Sequence, residues 1–348
     1  ALLERELLRA NSQACEAFFD HYFDDRGYLL CVPRWGGDDG ADDAIENLAH
    51  WPTLHALGGA DEILDMYKLA WEGHLQQYTE AKTEEVPFAR DGMYYKEFPV
   101  MFDWLHNGES MSVFNLQGLS DPRDPDFQKR VKRYAAFYTG EDPDAPNYDP
   151  EHRLMRSMFN GSRGPLMRKT TGLDWAGDPF EATRFDLLHG ERNYREIVAH
   201  FKDYNDVVGD SPLNLGATSL AFNAYALTGE AKYKDWLLEY ADAWIERTEA
   251  NGGIIPSNVG LDGTIGGACD GKWYGGVYGW GFSVVVPQTG ELAHRNTAVG
   301  YHPPYGFGNA LLMTGDQRYV DVWRGVLEAV NANGKEIDGQ MMYPDMYG

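Results

Sequence analysis

Residues 227–248 read Leu-Thr-Gly-Glu-Ala-Lys-Tyr-Lys-Asp-Trp-Leu-Leu-Glu-Tyr-Ala-Asp-Ala-Trp-Ile-Glu-Arg-Thr. An apolar helix end meets a glycine, then an acidic residue, then a charged amphipathic helix. Gly229 suits the left-handed position that ends a helix. Glu230 suits the positive end of the dipole of the next helix. The unit is therefore a helical hairpin. The segment before it, Leu215–Tyr225, is small and apolar, which fits an inner layer, whereas the charged helix after it fits an outer layer facing water.

The same phrase recurs at Ala56-Leu57-Gly58-Gly59-Ala60-Asp61, Leu187-Leu188-His189-Gly190-Glu191 and Met313-Thr314-Gly315-Asp316, and more loosely at Gly118-Leu119-Ser120-Asp121-Pro122. Hairpins of this kind bury one face only by stacking on their neighbours. The fold expected is all-α: an (α/α)-toroid of about six hairpins in a double ring, forming a single domain over 1–348. An open solenoid is the competing arrangement. A β-domain following residue 348 is left open, and the abrupt ends are read as those of a mature, processed chain. Strands are not expected beyond a short one near Ser283-Val284-Val285-Val286-Pro287.

The formal charge of −24 excludes nucleic acid and anionic membrane surfaces as partners. No window of 18 consecutive apolar residues exists to span a bilayer. Three cysteines make no disulfide framework and read as buried thiols. The expected location is secreted or periplasmic.

Glycine turns are short, so they share one rim. The connections from each outer helix to the next inner helix share the other, and these are long: about 24–43, 79–104, 139–180, 204–213 and 249–304. The unusual residues fall in or beside them. The first carries Arg34 and Trp35, then an acidic run in which Asp42 and Asp43 read either as a helix cap or as oxygen ligands for a structural Ca²⁺; no cofactor is required. The second carries Tyr94 and Lys96. Asp103, His106 and Glu109 follow at three-residue spacing, which on a helix brings them to roughly one face, either for acid–base work or as a satisfied polar network of the core. The third is basic, with His152, Arg153, Arg156, Asn160 and Arg163; its arginines read as carboxylate binders or as partners of the acidic run at 141–144. The last alternates glycine with aromatics: Trp273, Tyr274, Tyr278 and Trp280, then Arg295, His302 and Tyr305. Exposed ring faces of this kind stack on sugar rings.

Ala226-Leu227-Thr228-Gly229-Glu230, Asn251-Gly252-Gly253-Ile254-Ile255-Pro256 and Tyr274-Gly275-Gly276-Val277-Tyr278-Gly279-Trp280 resemble the (α/α)-toroid carbohydrate-active enzymes, both polysaccharide lyases and glycoside hydrolases. The resemblance implies a carbohydrate-active enzyme, and the cations gathered on the loop rim despite the net charge of −24 imply an acidic poly- or oligosaccharide as substrate. A lyase needs a carboxylate neutraliser, here Asn160 and Arg163, and a base, here His106, His152 or His302. Tyr278 or Tyr305 would be base or acid, and Asp103 belongs to the same candidate machinery. Arg34, Trp35, Tyr94, Lys96, Arg156, Trp273, Tyr274, Trp280 and Arg295 would bind substrate. A hydrolase would instead draw a carboxyl pair from Asp42, Asp43, Asp103, Glu109 and Asp270. A non-catalytic glycan-binding toroid is the third reading.

Overall fold

The computed structural model describes residues 2–31, 41–80, 104–143, 145–156, 209–267, 270–273, 283–285, 292–295, 302–343 and 346–347. The scaffold is all-α. Helix α1 (Leu2–Tyr22) precedes a broken inner helix, α2 (Ala41–Glu46) and α3 (Trp51–Ala56). Outer helix α4 (Glu62–Glu80) completes the first hairpin, and α5 (Trp104–Ser120) with α6 (Pro125–Ala136) forms the second. A 3-10 segment (Pro212–Ala217) runs into α7 (Thr218–Thr228), which pairs with α8 (Ala231–Ala250); α9 (His302–Thr314) pairs with α10 (Arg318–Ala332).

The hairpins stand side by side as in an α/α toroid. Inner helices α2, α3, α5, the 3-10 segment with α7, and α9 pack on one another in succession. Outer helices α4, α8 and α10 cover their own inner partners, and α6 packs along α7 while Phe127 and Tyr134 of α6 meet Phe114 of α5. The α5–α6 hairpin and the hairpin of α7 and α8 are thus direct neighbours. The copy of the repeat at Leu187 lies outside the described residues.

The turns follow the chemistry of the repeat. Gly229 closes α7 at φ +70°, with its N–H on the Tyr225 carbonyl. The looser copy is a correction: Gly118 lies inside α5, and the turn after it is capped by Asp124, whose side chain accepts from the N–H groups of Asp126 and Phe127. Gly118 instead leaves room for Phe127, whose ring a Cβ would meet at 3.4 Å. Ion pairs record a stagger of the outer layer. Arg130 of α6 reaches Glu72 of α4, Lys132 reaches Glu230 at the start of α8, and Arg318 at the start of α10 reaches Asp242 midway along α8.

The core lies between the layers, where Trp71, Trp244, Tyr67, Tyr134, Tyr233, Tyr240, Phe114 and Phe127 are fully buried. The other side of the inner helices is less buried, and it repeats. The stripe is Ser112, Asn115, Leu116 and Leu119 on α5; Ser219, Phe222, Asn223 and Ala226 on α7; and Tyr305, Gly308, Asn309 and Leu312 on α9. Each has the i, i+3, i+4, i+7 spacing of one helical face.

Strands are more numerous than the sequence pattern predicted. β1 (Tyr148–Asp149) pairs with β2 (Leu154–Met155). β3 (Ser283–Val285) is the expected strand, but it joins β4 (Leu292–Arg295), and β4 joins the terminal strand β7 (Met346–Tyr347). β5 (Lys335–Ile337) and β6 (Gln340–Met342) form a hairpin. These pairs are two to four residues long, too short for a period-2 signal. Asp42 and Asp43 are the second and third residues of α2, so neither is its N-cap. Cys31 is exposed, not buried, and Cys15 is half-buried; both are free thiols. No described helix is long and apolar enough to cross a membrane.

Candidate functional site

The described parts of the long connections lie at the rim opposite the glycine turns. Residues 24–31 lie on the later turns of α4, where Gln77 accepts from Leu29 N at 3.2 Å and donates to its carbonyl at 2.9 Å. Around the later turns of α8, three connections converge. The backbones of Asp210 and Val259 pair in both directions, Gly209 N donates to the Arg156 carbonyl, and the β1–β2 hairpin lies against α8 through Tyr148 and Glu239.

The hairpin tip presents a histidine. Asp149 accepts from Glu151 N on Oδ1 at 3.0 Å, and its Oδ2 lies 3.0 Å from His152 Nδ1. Burial pushes the Asp149 carboxyl up, but His152 and the Glu151 N–H outweigh it and hold it below the usual range. The His152 side chain is 33% exposed. With Nδ1–H donated to Asp149, its Nε2 is left as a base. Arg247 of α8 holds the tip from below: Nη2 donates to the carbonyls of His152 and Arg153, each at 2.9 Å. Arg153 takes φ +50°, unusual for a residue with a side chain. Its guanidinium forks onto Glu246. Gly263 sits over the imidazole, where a Cβ would meet His152 Cδ2 at 3.1 Å.

Under the tip lies Asp210, fully buried. It accepts from Met155 N (3.0 Å), Ser211 N (2.9 Å), Asn214 Nδ2 (2.8 Å) and Tyr240 OH (2.9 Å), and Arg247 Nη1 stands 3.6 Å away. Burial pushes this carboxyl up to about 6, against the pull of Arg247 and the donors. At neutral pH it is therefore ionised, as a shell made wholly of donors requires. One carboxylate thus ties the 139–156 connection, the entry to the 3-10 segment and α8 together.

A family model described as "Domain of unknown function (DUF8034)" matches residues 1–346. The chain belongs to this family. No curated protein matches it. Among solved structures it is similar to a cellobiose 2-epimerase from Bacillus thermoamylovorans B4167, at 12% identity over 93% of this chain and 86% of that one, with a TM-score of 0.31. A superposition that loose carries no argument about chemistry.

In this DUF8034 chain the described inner helices begin at the same rim. His106 lies in the first turn of α5, with Glu109 three residues on in the same helix, and His302 and Tyr305 open α9. Both helices pack on the 3-10 segment between them. Tyr305 is 59% exposed. Arg156 lies beside the dyad: its N–H donates to the Asn147 carbonyl, its charge helps hold Asp149 ionised, and its buried Nε has no hydrogen-bond partner among the described residues. Trp273 is half-buried, and its carbonyl accepts from Ser257 N and Oγ. Arg295 lies in β4. Arg34, Trp35, Tyr94, Lys96, Asp103, Asn160, Arg163, Tyr274, Tyr278 and Trp280 fall outside the described residues.

One expectation is corrected. Arg153 does not wait for an anion; it is paired with Glu246. Its partner is not the 141–144 run either, for Glu141 pairs with Lys232. Asp149, Asp210, Tyr240 and Arg247 were missed. Asp149 had a local signal, an acid three residues before a histidine. The others meet from distant segments, and nothing in their spacing announces it.

Proposed function

We propose that the chain is a glycan-processing enzyme that works at the loop rim, as a polysaccharide lyase on a uronate-containing substrate. The observation that carries this reading is the Asp149–His152 dyad, an imidazole oriented by a carboxylate and left open on Nε2. In a β-elimination, His152 Nε2 takes the proton from C5 of the uronate. The C4–O bond then breaks, a C4–C5 double bond forms, and the leaving oxygen acquires a proton. Proton removal beside a carboxylate needs that carboxylate neutralised. Arg156, whose charge bears on Asp149 and whose Nε has no hydrogen-bond partner among the described residues, is suited to that task; Asn160 and Arg163 are the further candidates that the sequence offers. The first turns of α5 and α9 add the positive ends of two helix dipoles at the same rim.

A panel of acidic and neutral glycans read by ultraviolet absorbance tests the reaction class, since only elimination makes the conjugated uronate double bond. A reducing end without absorbance would mean hydrolysis instead. On a turned-over glycan, His152→Ala is expected to lower kcat by about 10²–10⁴, the usual worth of a positioned general base. An unchanged kcat would remove His152 from the role.

A further inference from the structure

The inner helices carry a feature that the rim chemistry does not use. In a chain with 84 charged side chains from 30 basic and 54 acidic residues, the segments 110–120, 211–229 and 305–315 contain no Asp, Glu, Lys or Arg. Their less buried stripes carry amides and hydroxyls instead. Asn223 Nδ2 donates to Asn115 Oδ1 at 2.7 Å, joining α7 to α5. Asn309 Nδ2 donates to Thr218 Oγ1 at 3.0 Å and Ser219 Oγ at 3.1 Å, joining α9 to α7. The result is a continuous polar seam across three inner helices, on the side turned away from the core. Asn147 offers a contrast: it serves packing, is buried, and spends its Nδ2 on the Phe137 carbonyl.

The seam is not saturated. Among the described residues, Asn115 Nδ2 keeps its donors, and the Oδ1 atoms of Asn223 and Asn309 keep their acceptor sites. Phe222 shares the stripe with Asn223, and Tyr305 lies one turn above Asn309 at the rim. Leu119 and Leu312, 60% and 73% exposed, close the stripes at the glycine-turn end. Unspent amide donors and acceptors beside an aromatic face, with no formal charge, suit a ring that offers hydroxyls on its edge and C–H bonds on its face. Within these three segments a charged ligand would find no counter-ion.

We propose that Asn115, Asn223 and Asn309, with Phe222, form a subsite for a neutral glycosyl unit. Taken with the reading of the rim as a uronate site, on which only this second step rests, the substrate is a glycan that places a neutral sugar next to a uronate. Ligand-observed saturation-transfer NMR on the intact chain tests this with glucose, galactose and mannose in one arm and glucuronate and galacturonate in the other. At least one neutral sugar is expected to bind. Asn115→Asp retains the acceptor for Asn223 and so the internal bond, but replaces the free donors with a charge. Asn223→Leu removes the amide at similar volume. Each is expected to weaken neutral-sugar binding about threefold to tenfold, the worth of one hydrogen bond, with uronate binding within about twofold of wild type. No transfer to any neutral sugar, or unchanged affinity in both variants, overturns the subsite. Failure of uronates alone, with neutral binding still dependent on the amides, overturns the rim reading and leaves the subsite standing.

Discussion

The two rims of this molecule solve one problem, joining antiparallel helices, by opposite means. At the glycine-turn rim the helix ends are closed locally, and the ties between hairpins, such as Lys68 with Asp121 and Asp124, are partly exposed. Gly229 supplies the left-handed residue and Asp124 caps two N–H groups within three residues of itself. At the loop rim the joints are long-range and buried: Asp210 binds Met155, Asn214, Tyr240 and Arg247, drawn from segments up to 55 residues away. Local joints are each worth little and fail alone. A buried carboxylate with a shell of donors is cooperative, because removing one partner strands the rest in a low dielectric.

The sharpest way to break this contrast is Asp210→Ala, which leaves Arg247 buried without its counter-charge. Urea denaturation near neutral pH is expected to show a loss of about 3–5 kcal/mol. A loss below about 1 kcal/mol would mean that the rim is held elsewhere.

Next in size is the pH dependence of the same group. With its carboxyl raised to about 6, the folded chain keeps a proton on Asp210 at pH values where an unfolded carboxyl has released it. The folded state therefore binds more protons between about pH 4 and pH 6, and this group's contribution falls as pH rises through that window. The decline is on the order of 3 kcal/mol for two pH units. Asp210→Asn removes the titration, so the stability difference between wild type and Asp210→Asn should shrink by that amount from pH 4 to pH 6. Depressed carboxyls such as Asp149 and Glu246 act in the opposite sense and are common to both chains. A pH-independent difference would refute the assignment.

The smallest effect belongs to the local rim. Asp124→Ala is expected to cost about 1–2 kcal/mol, the usual value of an N-cap together with its partly exposed pair with Lys68, with no change in the loop-rim behaviour. A thermal shift as large as that of Asp210→Ala would erase the distinction between the rims.

The rims also differ in how readily they could be read. Hairpins, their order and the assignment of inner and outer helices follow from Gly229, Gly58 and Gly315 and from the polarity of the flanking helices. Gly118 misled because a glycine near a helix end can serve a neighbour's ring, here Phe127, as well as a turn. At the loop rim, His152 stood among the candidates because histidine is rare and chemically versatile. Its companions were invisible, since Asp210 and Arg247 look like any solvated acid and base until the connections fold over them. The amide seam was hidden differently: Asn115, Asn223 and Asn309 are unremarkable singly, and their kinship lies in a shared helical phase on three helices.

Sequence alone settled the secondary structure of the scaffold and its two layers, because glycine conformation, capping and helical periodicity act over a few residues. Tertiary structure alone decided which charges are buried, which are paired, and which amides of the inner helices come together. Those outcomes depend on desolvation and on contacts between segments far apart in the chain, and neither has a local signature.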